Sequence, residues 1–398
     1  MTLDIAAVRA QFPALAAGAA HFDGPGGSQI PDVVARAVHD TLVSPIANRG
    51  TVTRAERTAE AVVHAARSAM ADLLGADPRG IIFGRSMTQL TFDTARTLAK
   101  TWSAGDEVVV SRLDHDANVR PWVIAAEQAG ATVRWIDFDP VSTELTMQHV
   151  TDQLGDRTRL VALTGASNLL GTRPDLAAVA EQVHSAGALF YVDGVHLTAH
   201  AGIDVATLGA DFFVCSPYKF FGPHCGVMAA SPDLLDSLRP DKLLPATDVV
   251  PERFELGTLP YELLAGTTAA VDFIAGLTGT SGGRRQRIRT SMQAVDEYEY
   301  ALRRRIEASL AGLDTVTLHS QARRRTPTLL LTFQDRTPQD AYRFLAELDV
   351  NAPAGTFYAH EPARRLGLHD GGLRIGLAPY TSGSDVDRLL DGLTKFLD

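Results

Sequence analysis

LVALTGAS (160–167), DLAAVAEQVHSAG (175–187) and ALFYVDG (188–194) follow one another along the chain, and reading them together decides the fold. The first and third are nearly unbroken apolar runs of strand length. The segment between them repeats its apolar residues at helical spacing and ends on a glycine. A strand whose two faces are both buried reads as a continuous apolar run, whereas a half-exposed strand alternates. The same signature recurs outward in both directions. IIFG (81–84), EVVVS (107–111), ATVRWIDF (131–138), DFFVCS (211–216) and GVMAAS (226–231) read as strands. Helical spacing covers 51–75, where Gly75 is placed for a left-handed cap, and also 86–102 and 122–130. Strands alternating with helices predict an α/β fold with a mostly parallel, seven-stranded-type sheet between helices.

From about residue 259 the pattern changes. A long helix is expected over 285–311, then TLLLTF (328–333), a helix from PQDAYRFLAEL (338–348), the strand-like LRIGLA (373–378) and a closing helix, DVDRLLDGLTKFL (385–397). This predicts a large domain over 16–258 and a smaller α+β domain built from 1–15 and 259–398. Two domains also suit a chain of 398 residues, which exceeds the size at which one core keeps growing.

Composition narrows the function classes. The formal net charge of −10 argues against a nucleic-acid or anionic-membrane partner, which would call for clustered Lys and Arg. Arg323, Arg324 and Arg325 form only a short basic cluster beside a predicted strand, a solvated edge. Two cysteines, Cys215 and Cys225, make neither a disulfide framework nor a metal cluster, so no metal is expected and a reducing compartment suits them. The opening MTLDIAAVRAQFPALAAG reads as a short amphipathic helix rather than a signal peptide. No apolar stretch approaches the roughly 20 residues needed to cross a bilayer. A cytoplasmic protein is expected.

In an open α/β sheet, ligands bind at the carboxyl ends of the strands. The residues just past those ends are Ser86, Met87 and Thr88; His115 and Asn118; Ser167 and Asn168; Asp193 and His196; Ser216 and Lys219. Singly, each has a plain reading as a helix cap, a turn residue or a surface side chain. Jointly they bring a lysine and a carboxylate to one sheet mouth, with an imidazole, an amide and several hydroxyls around them. Pyridoxal 5′-phosphate requires that set. A lysine forms the imine, a carboxylate keeps the pyridine nitrogen protonated, and hydroxyls with backbone N–H groups at a helix N-terminus hold the phosphate.

VDGVH (192–196), ASNLLGT (166–172), DHDANVRPW (114–122), SPYKFFGPH (216–224) and RIGLAPYTS (374–382) together resemble the class V aminotransferase family of fold-type I pyridoxal phosphate enzymes. The cysteine desulfurase-like branch is the nearest, and the likeness runs from FDGPGGSQ (22–29) to the final helix. The resemblance implies that Lys219 holds the internal aldimine and shuttles the proton, and that Asp193 pairs with the pyridine nitrogen. It implies that His196 supports Asp193 and the phosphate side, His115 stacks on the ring, and Asn168 contacts the phenolic oxygen. Met87, Thr88 and Ser216 grip the phosphate, while Gly257 and Thr258 close it from the partner subunit of a homodimer with a shared active site. The resemblance also implies that Arg374 clamps the substrate α-carboxylate, a role that suits a guanidinium fork. Asn48 and Arg49 resemble a substrate-side loop.

The likeness breaks at one place. Desulfurases of this family carry an acceptor cysteine on a loop before the final arginine strand, and APAGTFYAHEPARRLGLHDGGLRIG (352–376) has none. Cys215 reads as core and Cys225 as the start of the next strand. What the resemblance still implies is an external aldimine and a quinonoid, reached after Lys219 removes the α-proton. C–S lyase β-elimination is the leading outcome. An aminotransferase, an epimerase or another specialised reaction in secondary metabolism is the alternative, and a non-catalytic cofactor-binding protein a third. Lys219, Asp193 and Arg374, all present, argue against the third. In the cysteine-free loop Tyr358 is a candidate for substrate contact, and His360 is better read as ordinary loop packing.

Overall fold

The computed structural model describes residues 3–398. Its central sheet has seven strands, in the order Ile81–Gly84, Gly226–Ala230, Phe212–Cys215, Leu189–Asp193, Thr158–Thr164, Glu107–Ser111 and Thr132–Ile136. Gly226–Ala230 runs antiparallel to both neighbours, and every other pairing is parallel. Successive side chains of a strand point to opposite faces, and here both faces are core. Phe190 and Val192 join Val161 and Leu163 on one side, while Tyr191 joins Leu160 and Ala162 on the other. That two-sided burial is why the strands carry no polar alternation.

Helices Met87–Ala99 and Arg120–Ala129 cover one face through Leu90, Leu98 and Trp122. Arg54–Leu74, Leu176–Ser185 and Tyr261–Gly276 cover the other. Helix Arg54–Leu74 starts with a capping box, Thr53 with Glu56, and stops where Gly75 turns to φ +66°. Asp32–Leu42 and Tyr261–Gly276 have no counterpart among the expected helices. The second of these buries residues on most sides, from Leu264 to Ala275, so it shows little of the one-sided periodicity that marks a surface helix. Gly266 lets it approach Asp32–Leu42 closely: a Cβ there would stand 2.7 Å from the Val38 side chain.

A four-stranded antiparallel sheet, ordered Ala354–Gly355, Gly372–Gly376, Thr328–Phe333 and Val316–Leu318, forms a second unit. It shares a core with helices Arg284–Leu310, Pro338–Ala346 and Gly383–Leu397. The N-terminal segment joins this unit, because Ala20–His21 pairs in parallel with Val350–Asn351 and Asp23 bridges to Gly376. The next residues, Gly24 to Gly27, run from there to the central sheet. Among the described residues, no helix is long and apolar enough to cross a membrane and no cluster of His, Cys, Asp or Glu could hold a metal ion.

Candidate active site

Sheet register sets the site. Asp193 lies level with Thr164 on one neighbour and Val214 on the other, so three parallel strands end side by side. The chain leaves the last of them through Ser216 and Pro217 into a single turn of 3-10 helix that ends at Lys219. Met87, Thr88, His115, Asn168, Asp193, His196 and Lys219 line one cleft at these strand ends, with Thr164, Ala166, Val195 and Tyr218. Seven of the residues singled out in the sequence therefore meet. Met87 and Thr88 open helix Met87–Ala99, whose N-cap Ser86 accepts from the Gln89 N–H at 3.1 Å. Gly226 makes this possible: a Cβ there would lie 2.2 Å from the Ser86 carbonyl carbon.

Burial tunes the two charged groups in opposite directions. Desolvation brings the Lys219 ammonium down to about 7, helped by the positive Arg374 and opposed by Asp193. Desolvation lifts the Asp193 carboxyl to about 6, against a 2.9 Å hydrogen bond from the Val195 N–H and the attraction of Lys219. Lys219 Nζ donates to the Pro25 carbonyl, which brings the Gly24–Gly27 segment over the lysine. His115 is held near 4 by desolvation and by Lys219, hence neutral. Its Nδ1 accepts from the Ala117 N–H at 3.0 Å, which leaves the proton on Nε2.

The turn that carries His115 is locked from beneath by Asp114, a residue outside the expected set. Its carboxyl accepts from Ser111 Oγ at 2.6 Å and from Asn118 Nδ2 at 2.7 Å, and the Asn118 amide oxygen accepts from Trp122 Nε1 at 3.1 Å. Full burial lifts Asp114 to about 8. Asn118 thus serves this turn, and Ser167 serves its own, its Oγ accepting from the Leu170 N–H at 3.3 Å. The signal for Asp114 in the sequence is an acid three residues past an apolar strand's end. His196 is buried, with Nε2 between the Thr326 and Thr328 hydroxyls at 3.0 and 2.9 Å. Desolvation holds it well below its ordinary value.

Arg374 reaches this region from the smaller sheet. It is 2% exposed, and desolvation lowers it to about 9. Its Nη1 donates to the Asn168 carbonyl at 3.1 Å, and its guanidinium carbon lies 3.6 Å from the centroid of the Phe357 ring. Phe357 was not among the expected residues. Its carbonyl accepts from Asn168 Nδ2 at 3.0 Å, and the Tyr358 carbonyl accepts from the Asp116 N–H at 2.8 Å. The Tyr358 ring, 78% exposed, sits 5.7 Å from His115 at the cleft mouth. Three buried polar atoms here have no hydrogen-bond partner among the described residues: Asn168 Oδ1, His196 Nδ1 and Arg374 Nε.

Four expected residues stand elsewhere in this subunit. Asn48 is exposed, and Arg49 is committed to Glu60, through Nε and Nη2 at 2.8 and 2.9 Å, and to Glu252 at 3.1 Å. Gly257, at φ +80°, and Thr258 are exposed on a loop outside the cleft. Ser216 is buried behind Lys219, and its carbonyl accepts the Lys219 N–H at 3.0 Å. Both thiols are buried. Desolvation raises Cys215 well above the ordinary range and Cys225 to about 11, and Cys225 Sγ lies 3.5 Å from Thr267 Oγ1.

Comparison with known proteins agrees with this architecture. The family model Aminotransferase class-V matches residues 20–389. An uncharacterized protein of Mycobacterium tuberculosis is 33% identical over 400 residues, covering 99% of this chain and 100% of its own length. Aminotransferase-like protein FGM3 of Gibberella zeae is 30% identical, covering 98% of each chain. Cysteine desulfurase CsdA of Escherichia coli is 30% identical, over 98% of this chain and 97% of its own. The crystal structure of that desulfurase superposes with a TM-score of 0.88 at 26% identity, covering 100% of this chain and 99% of the other. The chain belongs to the aminotransferase class-V family of pyridoxal phosphate-dependent, fold-type I enzymes, on a cysteine desulfurase-like branch without the loop cysteine.

Proposed function

We propose that this enzyme binds pyridoxal 5′-phosphate and acts on an amino acid as a C–S lyase, eliminating a sulfur substituent from Cβ. One observation carries the reading: Lys219 and Asp193 share one desolvated cleft, with Arg374 behind it. The residues fit the cofactor. Asp193 would hold the pyridine nitrogen, Lys219 would hold the carbonyl carbon covalently, and His115 offers a flat neutral ring. The unpartnered atoms of Asn168 and His196 are polar groups that a polar ligand would satisfy. Met87 and Thr88, at a helix N-terminus, would hold the phosphate with Ser216. When bound, the cofactor supplies an electron-accepting ring that stabilises negative charge at the substrate Cα.

The chain's own residues do the rest. Arg374 has Nη1 engaged, so its Nε and Nη2 edge is the fork offered to a substrate carboxylate. Lys219, near 7, can take the α-proton as a base and return it as an acid close to neutral pH. With both thiols buried and protonated, the expelled sulfur has no acceptor in the chain, and it leaves as sulfide or thiol. L-cysteine with water would then give sulfide, pyruvate and ammonia. Tyr358 stands on the substrate side of this reading, while Asn48, Arg49, Gly257 and Thr258, which lie outside this subunit's cleft, would serve only the cleft of a second copy. The proposed division is a large domain over 16–258 and a small one over 1–15 with 259–398, except that Val8, Phe12 and Leu15 pack in the core of the large sheet and Ala20 and Phe22 in that of the small one; the cytoplasm is the expected location.

Visible absorbance that is present in the purified protein and absent in Lys219→Ala supports the lysine anchor, and an unchanged spectrum sinks the site. Incubation with L-cysteine and S-substituted cysteines then separates the reactions. Pyruvate with released thiol is the expected outcome. Alanine with sulfur retained on Cys225, or solvent deuterium at Cα without other product, would replace elimination with desulfuration or epimerisation.

A further inference from the structure

We propose that Phe357 is the positioning residue for the carboxylate fork of Arg374, held in place by a strained elbow at Phe357 and Tyr358. The inference rests on the reading of Arg374 as the group that binds the substrate carboxylate. Arg374 makes no hydrogen bond to a carboxylate among the described residues, although the charge of Asp23 acts on it through space, and its Nε is buried without a partner. One direct hydrogen bond, to the Asn168 carbonyl, aims its long side chain. The flat face of the guanidinium rests on the Phe357 ring, 3.6 Å from carbon to centroid. A stack on the face leaves the edge free, and the edge is what a carboxylate engages.

The elbow shows that this stack is built in. Phe357 and Tyr358 are consecutive non-glycine residues at φ +54° and +57°. Side chains larger than hydrogen rarely adopt that conformation, which persists only where the surroundings enforce it. Here two carbonyls enforce it: Phe357 O takes Asn168 Nδ2 at 3.0 Å, and Tyr358 O takes the Asp116 N–H at 2.8 Å. Asn168 therefore closes a circuit, giving a donor to Phe357 and an acceptor to Arg374. In an extended conformation, residue 357 would turn its ring away from the guanidinium. The stretch lacking a cysteine is thereby a fixed wall that orients the substrate.

The test uses the cofactor-loaded protein and two ligands without an α-proton, 2-methylalanine and tert-butylamine, in which a methyl group replaces the carboxylate. Binding is read from the shift in visible absorbance. Phe357→Leu should weaken the acid about tenfold, the scale of a desolvated cation–π contact, and leave the amine within about twofold. Phe357→Tyr should restore the acid. Arg374→Gln separates the two ideas. If it loses the acid while Phe357→Leu keeps it, the positioning role is wrong and the reading of Arg374 stands. If Arg374→Gln leaves the acid-to-amine preference intact, that reading fails and the proposal with it. Melting of the Gly and Ala variants at 357 checks the elbow independently: Gly should melt higher, and Ala equal to or above Gly would show no strain.

Discussion

Lys219 is a base made weak by where it stands. Its folded value of about 7 lies below the ordinary 10.5, so between those values the unfolded chain holds a proton that the folded chain has released. The cost of burying it is therefore full below pH 7 and fades as the pH rises toward 10.5. Asp193 has the opposite sign: raised from 3.8 to about 6, its burial cost grows across that window and persists above it. Cofactor-free Lys219→Met should accordingly be more stable than the parent at pH 6, by about 1–3 kcal/mol, with the gap closing by pH 10. Denaturant midpoints at the two pH values measure this. Coincident curves at pH 6 would mean that the lysine is solvated after all. The same depressed value equips Lys219 to move a proton near neutrality, so the destabilisation and the chemistry share one cause.

At the scale of elements, helix Met87–Ala99, proposed to hold the phosphate, depends on one glycine. Gly226 begins the antiparallel strand of the central sheet and packs on the first turn of Met87–Ala99, with a Cβ position 2.2 Å from the Ser86 backbone carbon. Backbone on both sides cannot yield as a flexible side chain can. Gly226→Ala should push Met87 and Thr88 out of place and weaken cofactor retention at least tenfold, alongside a stability loss of about 1–3 kcal/mol. Thr53→Ala is the matched control. It removes a capping box far from the cleft, at about 1 kcal/mol, and should leave cofactor affinity unchanged. Equal cofactor affinity in both variants would show that the turn tolerates displacement.

For the whole molecule, the loop with Gly257 and Thr258 exposes Leu256 and follows a segment that exposes Leu243, Leu244 and Val249; Leu42, Val43 and Val52 are exposed near Arg49. Residues that face away from their own cleft can complete another one. Sedimentation should give a dimer, and Thr258→Ala should loosen the cofactor without dissociating it. A monomer with full cofactor affinity would remove Gly257 and Thr258 from the site. The strand succession, the fold class and the lysine–carboxylate pair were legible in the sequence, because two-sided burial and strand-end placement leave local marks. So was the absence of an acceptor thiol between 352 and 376. Other features left no mark: the all-round burial of Tyr261–Gly276, the lock beneath His115 at Asp114, and the commitment of Arg49 to Glu60 and Glu252. Nor did residue types reveal that Phe357 would lie flat on Arg374. Periodicity reports which faces are apolar, a local property of the chain. Which groups lose their water, and which partners they meet 17 or about 200 positions away, is decided only when the two sheets close on one another.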